Sequence, residues 1–454
     1  MTASVSAIGS VERNHPIPLS QVALLASLGA LGPLSIDMYL PTLPLIGADI
    51  GSGAGDGQQT LATYFAGLAI GQLVAGPLSD RFGRIRPLAG GLAIYLVGSL
   101  GCALAGSMGM LMLWRFVQAL GGSAAMVIPR AVIRDRQTGN AAARTAALLA
   151  LVGGMAPVVA PLLGGQLIGL GWRSIFTFLC VLGLLLLWGV PRALHRPPVE
   201  GVLPTIDGAP AAAAVAAGAD AAGTASTTPP PISITPRAKG LWALFADLKI
   251  LLSDGHFLRC VLGSGCASAA MFAYITGSPF VIITLHGVAP SHFGWFFAIN
   301  VSAMITAAQL NRLLLRRWPL TRVLASAGWL GAAGGALLIT AAATGLGGLP
   351  AIVASAFAIM FSMGFIGTNA AVLALEHHGQ RAGMASALMG CLQFTVAATA
   401  SSLVGLLHNG TALPMALVMG GMITLSALIL GGGPLLVTLR GSGRFARSAE
   451  FRKK

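Results

Sequence analysis

The sequence predicts an all-α integral membrane protein, twelve transmembrane helices in two pseudo-symmetric six-helix bundles. Three observations carry that expectation. Of the 454 residues 55% are hydrophobic and only 9% charged, too few charges to keep a globule of this size in water, where about 25% is ordinary. Apolar runs of about 20 residues, each able to cross about 30 Å of hydrocarbon, recur along the chain. One long polar interruption leaves six runs before it and six after it. Runs of this length are helices; barrel strands are only about ten residues long.

In order, the runs cover roughly 19–43, 58–79, 87–106, 109–131, 143–169 and 173–191, then 257–281, 291–315, 320–343, 349–373, 382–407 and 412–438. Residues 1–18 are polar and contain prolines, without an apolar core before a small-residue cleavage site. They read as a cytoplasmic tail, and the first helix stays as an anchor. The organisation expected is thus a tail (1–18), a first bundle (19–191), a linker (192–256), a second bundle (257–438) and a basic tail (439–454). The linker run GAPAAAAVAAGADAAGTASTTPPP is rich in Ala, Gly, Thr and Pro and reads as flexible and cytoplasmic. GLWALFADLKILLSDG (240–255) has apolar residues at helical spacing. It reads either as a surface amphipathic helix or as an extension of helix seven.

Arginine placement sets orientation. The even-numbered connections hold Arg81, Arg84 and Arg86; Arg134, Arg136 and Arg144; Arg312, Arg316, Arg317 and Arg322; and Arg381. The tail adds Arg440, Arg444, Arg447, Arg452, Lys453 and Lys454, whereas the odd-numbered connections hold essentially Arg173. This positive-inside pattern puts both termini in the cytoplasm of a multi-pass inner-membrane protein. It also turns the net charge of +14 towards anionic lipid headgroups, with no basic patch interleaved with aromatics and so no nucleic-acid partner.

Cys102, Cys180, Cys260, Cys266 and Cys391 all lie in apolar runs and read as packing residues. Neither CxxC nor HExxH occurs, and no nucleophile–base set appears, so no metal, cofactor or enzyme is expected. His377 and His378 read as solvated residues at a helix end. GSGAGDG (51–57) lacks the Lys and the strand-to-helix setting of a phosphate loop and reads as an outer connection. PLSDRFGRIRPL (77–88) and QLNRLLLRRWPL (309–320) match at Leu78/Leu310, Arg84/Arg316, Pro87/Pro319 and Leu88/Leu320, a constant offset of 232. Both join the second and third helices of their half, as in a duplicated six-helix unit.

The chemistry centres on LGALGPLSIDMYLPTLP (28–44), where Asp37 stands alone in apolar surroundings. A charge at the centre of a membrane helix costs roughly 2.5–3.5 kcal/mol on insertion scales. Arg115, inside helix four, lies about five residues from the outer end at about 1.5 Å per residue. Asp37 lies about four to six residues from the outer end of helix one, so the two charges are expected at similar depth. They read as a functional carboxylate tuned by a nearby arginine. Asp80 sits among arginines in GPLSDRFGRIRPL, where Gly76 and Gly83 permit close approach and a tight turn. Asp80, Arg81 and Arg84 there suggest a conformational latch. A cavity near the midplane between the halves has Tyr39, Tyr64, Phe65, Met126, Phe272, Tyr274, Asn300, Asn369, Gln393 and Phe394 as candidate wall residues.

The loop residues Gly76, Leu78, Asp80, Arg81, Gly83, Arg84 and Arg86 resemble the signature loop of the major facilitator superfamily. The run from Arg115 to Ala124 resembles its helix-four motif, with Ala119 and Gly122 departing from the commonest form. Gly153, Gly154, Ala156, Pro157, Pro161, Gly164 and Gly165 resemble the helix-five antiporter motif, with Ala156-Pro157 in place of Gly-Pro. The opening stretch around Pro33, Asp37, Tyr39, Pro41 and Pro44, with RAGMASALMG (381–390), resembles the Bcr/CflA branch of drug:proton antiporters. The resemblance spans both bundles. It implies the major facilitator fold and export of small, mostly hydrophobic antibiotics (bicyclomycin- or chloramphenicol-like) in exchange for protons. It gives Asp37 and Arg115 the proton coupling, and Asp80, Arg81 and Arg84 the latch. In the helix-five motif, the glycines Gly154, Gly164 and Gly165 then let helix five pack closely on a helix of the other half, and bends at Pro157 and Pro161 re-aim its ends. The partners implied are a small-molecule drug, protons and lipid, with the protein a monomer. A metabolite exporter or symporter on the same fold, and a non-transporting membrane sensor, are the competing readings.

Overall fold

The computed structural model describes residues 17–137 apart from 52 and 54, 139–194, 248–376 and 382–450. The amino-terminal tail, most of the linker, His377, His378 and the last four residues lie outside the described set. Among the described residues the regular structure is helical, and twelve helices are long and apolar enough to cross a membrane. They are Leu19–Ile50, Asp56–Phe82, Ile85–Ala103, Met108–Arg136, Arg144–Leu170 and Arg173–Leu194 in the first half. In the second they are Gly255–Leu285, Pro290–Leu314, Leu320–Thr344, Gly348–Leu375, Met384–Leu406 and Leu413–Gly431. They are called spans 1 to 12. Successive spans alternate in direction, so the arginine-bearing connections share one end of the bundle, the Arg-rich end. The other is the Arg-poor end.

Every expected run corresponds to a span, but span 1 does not stop near residue 43. The helix Leu19–Asp37 ends at Asp37, a short 3-10 turn covers Leu40–Thr42, and a second helix, Leu43–Ile50, follows. Two prolines explain the break. A helical bond to the Asp37 carbonyl needs the N–H of residue 41, and one to Leu40 needs that of residue 44. Both positions are proline and carry no N–H. Pro44 then serves the first turn of the new helix, where a missing donor does no harm. Thr42 Oγ1 donates to the Tyr39 carbonyl at 2.7 Å and closes the turn. Asp37 is therefore the last residue of a helix, not a residue near the end of a span. Thirteen residues (50 minus 37) separate it from the end of span 1, more than the spacing predicts.

Two further boundaries differ. Residues 248–253 are helical, and the chain then breaks at Asp254, whose Oδ1 accepts from the backbone N–H of His256 at 2.8 Å and caps span 7. The segment is thus separate from span 7 and not an extension of it. At the far end, the helix carrying span 12 runs Leu413–Glu450, so the expected tail continues it.

Small residues set the packing within each half. Gly67 of span 2 faces the Phe116 carbonyl of span 4, where an added Cβ would come to 2.6 Å. On span 3, Gly98 is equally tight against Gln118 of span 4. Such close backbone approach is how membrane helices gain contact without a hydrophobic driving force. It fixes span 4, and with it Arg115, against spans 2 and 3.

Candidate functional site

Arg115 is fully buried. Its Nη1 donates to the Ser35 carbonyl at 3.0 Å and to Gln118 Oε1 at 2.7 Å. Gln118 Nε2 in turn donates to Ser99 Oγ of span 3 at 2.8 Å. Aromatic rings close around the guanidinium, with Tyr64, Tyr39 and Phe176 centroids at 4.1, 4.6 and 5.8 Å. A desolvated cation over such faces gains about 2 kcal/mol or more. The cage is itself held, because Tyr39 OH lies 2.9 Å from Thr60 Oγ1 and Tyr95 OH 2.7 Å from Ser35 Oγ.

Asp37 is 3% exposed, and its Oδ1 has no hydrogen-bond partner. The direct Asp37–Arg115 ion pair that the sequence suggests is not formed. The ion pairs among the described residues are Arg84–Asp80, Arg84–Asp135 and Arg173–Asp49. The two buried charges meet indirectly. Ser35, whose carbonyl binds the arginine, is two residues before Asp37. The Tyr64 hydroxyl and Arg115 Nε and Nη2 also lack partners. Buried polar atoms are normally paired, so these four orphans on Asp37, Tyr64 and Arg115 mark hydrogen bonding that is unfinished.

At the Arg-rich end the turn between spans 2 and 3 is only Gly83 and Arg84. Gly83 has φ +78°, a conformation that favours glycine. Arg84 Nε donates to Asp135 Oδ2 at 2.8 Å, and its Nη1 to Ser79 Oγ at 2.8 Å and Asp80 Oδ1 at 2.5 Å. Partial burial works against the Arg84 charge, but the bonds to Asp135 and Asp80 outweigh it and hold its pKa above the ordinary value. The clamp therefore ties spans 2, 3 and 4 of one half together. Asp80 lies within the helix of span 2, not in the loop. Arg81 lies over the neighbouring Phe82 ring at 5.3 Å. Gly76 has no neighbour that a Cβ would meet, so it gives no close approach. Asp135, missed in a count of cations alone, is the partner that reaches another span. Since Asp80 and Asp135 are 66% and 43% exposed as side chains, each pair is worth only about 0.2–1 kcal/mol.

The cavity candidates divide into groups. Tyr39 and Tyr64 belong to the arginine cage. Phe65 of span 2 meets Phe272 of span 7 at 4.5 Å and Phe394 of span 11 at 6.4 Å, an aromatic seal across the two halves. Tyr274 OH accepts from Asn300 Nδ2 at 2.8 Å, with Asn300 Oδ1 left unpaired. Gln393 Nε2 donates to Ser268 Oγ at 3.2 Å. Met126 lies against Gly32 of span 1. Asn369 is engaged elsewhere: it and Asn311 exchange two amide bonds, both 3.0 Å, inside the second half.

The Arg-poor end is closed. Gln59 Nε2 donates to the Ser402 carbonyl at 3.2 Å, the one hydrogen bond between halves among the described side chains. Gly165 of span 5 lies against Pro290 and Ser291 of span 8, and Gly294 against Leu162. Gly164, by contrast, packs within its own half, directly on the Met38 carbonyl. Gly154 has nothing within reach of a Cβ. Pro157 and Pro161 lie inside the helix Gly139–Leu167. A Cβ on Gly165 would stand 3.0 Å from the Pro290 oxygen, so Gly165→Val should prop this end apart. Spin labels on Leu170→Cys and Leu346→Cys, exposed there on opposite halves, are expected to shift to longer separations. An unchanged distance distribution would show that this contact does not gate.

The model of the Major Facilitator Superfamily matches residues 25–402. The chain is 33% identical over 414 residues to the uncharacterized MFS-type transporter YdgK of Bacillus subtilis, covering 88% of this chain and 92% of the relative. It is 29% identical over 411 residues to a bicyclomycin resistance protein homolog of Haemophilus influenzae, covering 90% and 94%. Among solved structures, a D-xylose–proton symporter superposes with a TM-score of 0.63 at 16% identity, over 91% of this chain and 97% of that one. That likeness concerns the fold.

Proposed function

The chain belongs to the major facilitator superfamily, and from that premise we propose that it exports small, mostly hydrophobic antibiotics in exchange for protons. It is a multi-pass membrane transporter, not an enzyme. In this reading the Arg-rich end faces the cytoplasm, the monomer sits in the inner membrane, and the substrates are bicyclomycin- or chloramphenicol-like. Likeness to a bicyclomycin resistance protein homolog supports the substrate class.

The observation that carries proton coupling is Asp37, buried at a helix break with a partnerless carboxyl oxygen. A proton removes the charge that is costly there. Arg115 is held independently by its cage and supplies a standing positive potential. Contacts lead from the carboxyl to the gate. Asp37 adjoins Met38, whose carbonyl bears on Gly164, and the next residue, Gly165, bears on Pro290 of the other half. Loss of the proton sends the carboxylate towards the unpaired donors of Tyr64 and Arg115. That re-aims the break, shifts span 5 and loosens the Arg-poor end. Substrate favours the deprotonated state and leaves as a proton binds, each acting through its differential affinity for the two states. The Arg84 clamp lets spans 2, 3 and 4 move as one body.

The test is susceptibility across a broad antibiotic panel in a host lacking its own exporters. Expression is expected to protect against at least one small hydrophobic antibiotic, and collapse of the proton gradient to abolish the protection. Unchanged potency across the panel would sink drug export and favour a metabolite as the cargo.

A further inference from the structure

A cavity of about 180 Å³ lies between the halves at the Arg-poor end, apart from the buried charges. Leu43 and Ala48 of the second helix of span 1 form one wall, with Gln58 at the start of span 2. Pro279, Phe280 and Thr284 of span 7 form the other. Three features converge there. The Leu43–Ile50 helix exists only because the chain breaks at Pro41. Span 7 departs from α-geometry into a π-turn at Phe280–Leu285, a distortion frequent at functional sites. Gln58 is 4% exposed, and its amide makes no hydrogen bond, with Oε1 buried and partnerless. Phe280 is fixed edge-on to His408 at 4.4 Å, so the aromatic wall is anchored.

We infer that this cavity binds a small aromatic carboxamide. The ring rests on Leu43, Pro279 and Phe280, and its amide pairs reciprocally with that of Gln58. The protein already makes such a pair at Asn311 and Asn369. The volume lies below the roughly 300–1,000 Å³ of drug-sized pockets, so the occupant is smaller than the exported compounds. Because the walls belong to opposite halves, it ties them together and holds the Arg-poor end closed. It is an inhibitor site, independent of which compound is exported.

The probe is benzamide, and the sample is the full chain purified in detergent. Maleimide labelling at position 48 of an Ala48→Cys chain is read by peptide mass spectrometry. Benzamide is expected to slow it in a saturable way. Methyl benzoate, which lacks the N–H donors, should need about tenfold more for the same protection, the loss of one hydrogen bond. Adding Gln58→Leu, which removes both bonds of the pair, should raise the half-protecting benzamide concentration by more than that factor. In a second arm, Ala48→Trp fills the mouth and should remove any benzamide-induced rise in melting temperature. Equal protection by both compounds, equal protection without the Gln58 amide, or no protection overturns the proposal; so does a melting shift that survives Ala48→Trp. Asp37→Asn should leave protection intact, so failure of this site and failure of proton-coupled export are read separately.

Discussion

Asp37→Asn is expected to abolish gradient-driven drug export while leaving the protein inserted and able to exchange drug for drug. Asparagine matches the carboxyl in shape but cannot take up and release a proton. Drug-for-drug exchange moves no net proton, so it needs the alternating states but not the titration. Coupling between two ligands is typically about 1–3 kcal/mol, a factor of about 5–150 in affinity; with nothing to titrate, the driven rate should fall to the level of passive leak. Reconstituted vesicles with an imposed pH gradient measure both modes. Undiminished driven export in Asp37→Asn would remove the carboxyl from the mechanism. Loss of both modes together would make Asp37 a structural or substrate-binding group.

Arg115→Lys should be the most destabilising conservative exchange in the first half. The charge is kept, but the site is built for a plane. Nη1 serves two acceptors on spans 1 and 4, while Tyr39 and Tyr64 cover the faces. An ammonium is a compact, strongly hydrated point charge that cannot lie flat between two rings. Losing the stacking and one charged hydrogen bond, about 2 kcal/mol and about 1.5–3 kcal/mol, should lower stability by about 3.5–5 kcal/mol in total. Thermal unfolding in detergent checks this, with Arg81→Lys at an exposed position as reference. A melting temperature equal to the native one would mean that charge alone matters there. Arg115→Met, similar in length and apolar, separates volume from charge. If it retains stability but loses driven export, the guanidinium is needed for coupling rather than for folding.

Span positions were readable because the length of an apolar run is imposed by the membrane and owes nothing to tertiary contacts. Counting along helices puts Asp37 and Arg115 at similar depth; both are buried, and Arg115 bonds the carbonyl of Ser35, two residues before Asp37. What counting could not supply is which atoms meet. A three-ring cage depends on the rotamers of Tyr39, Tyr64 and Phe176, which come from three other spans. The break after Asp37 was signalled by Pro41 and Pro44, but the apolar run continues through it and hides it from a hydropathy reading. Asp135 was overlooked for a simpler reason: orientation is read from arginines, so an acid among them was passed over. Gln58 had no signal at all, since an unpaired amide is visible only once its neighbours are known.

The closure at the Arg-poor end has one more consequence. It is made of glycines, prolines, aromatic rings and one neutral hydrogen bond, with no ion pair between the halves among the described residues. Dissolved salt screens exposed charges, with a Debye length near 10 Å at about 0.1 M and near 3 Å at about 1 M. A seal without charges is indifferent to that change, whereas the Arg84 clamp at the opposite end is not. In the orientation proposed above, with the Arg-poor end outward, the face meeting an unregulated medium closes equally well in dilute and concentrated surroundings. That orientation keeps the charge-dependent fastening where ionic strength is held constant by the cell.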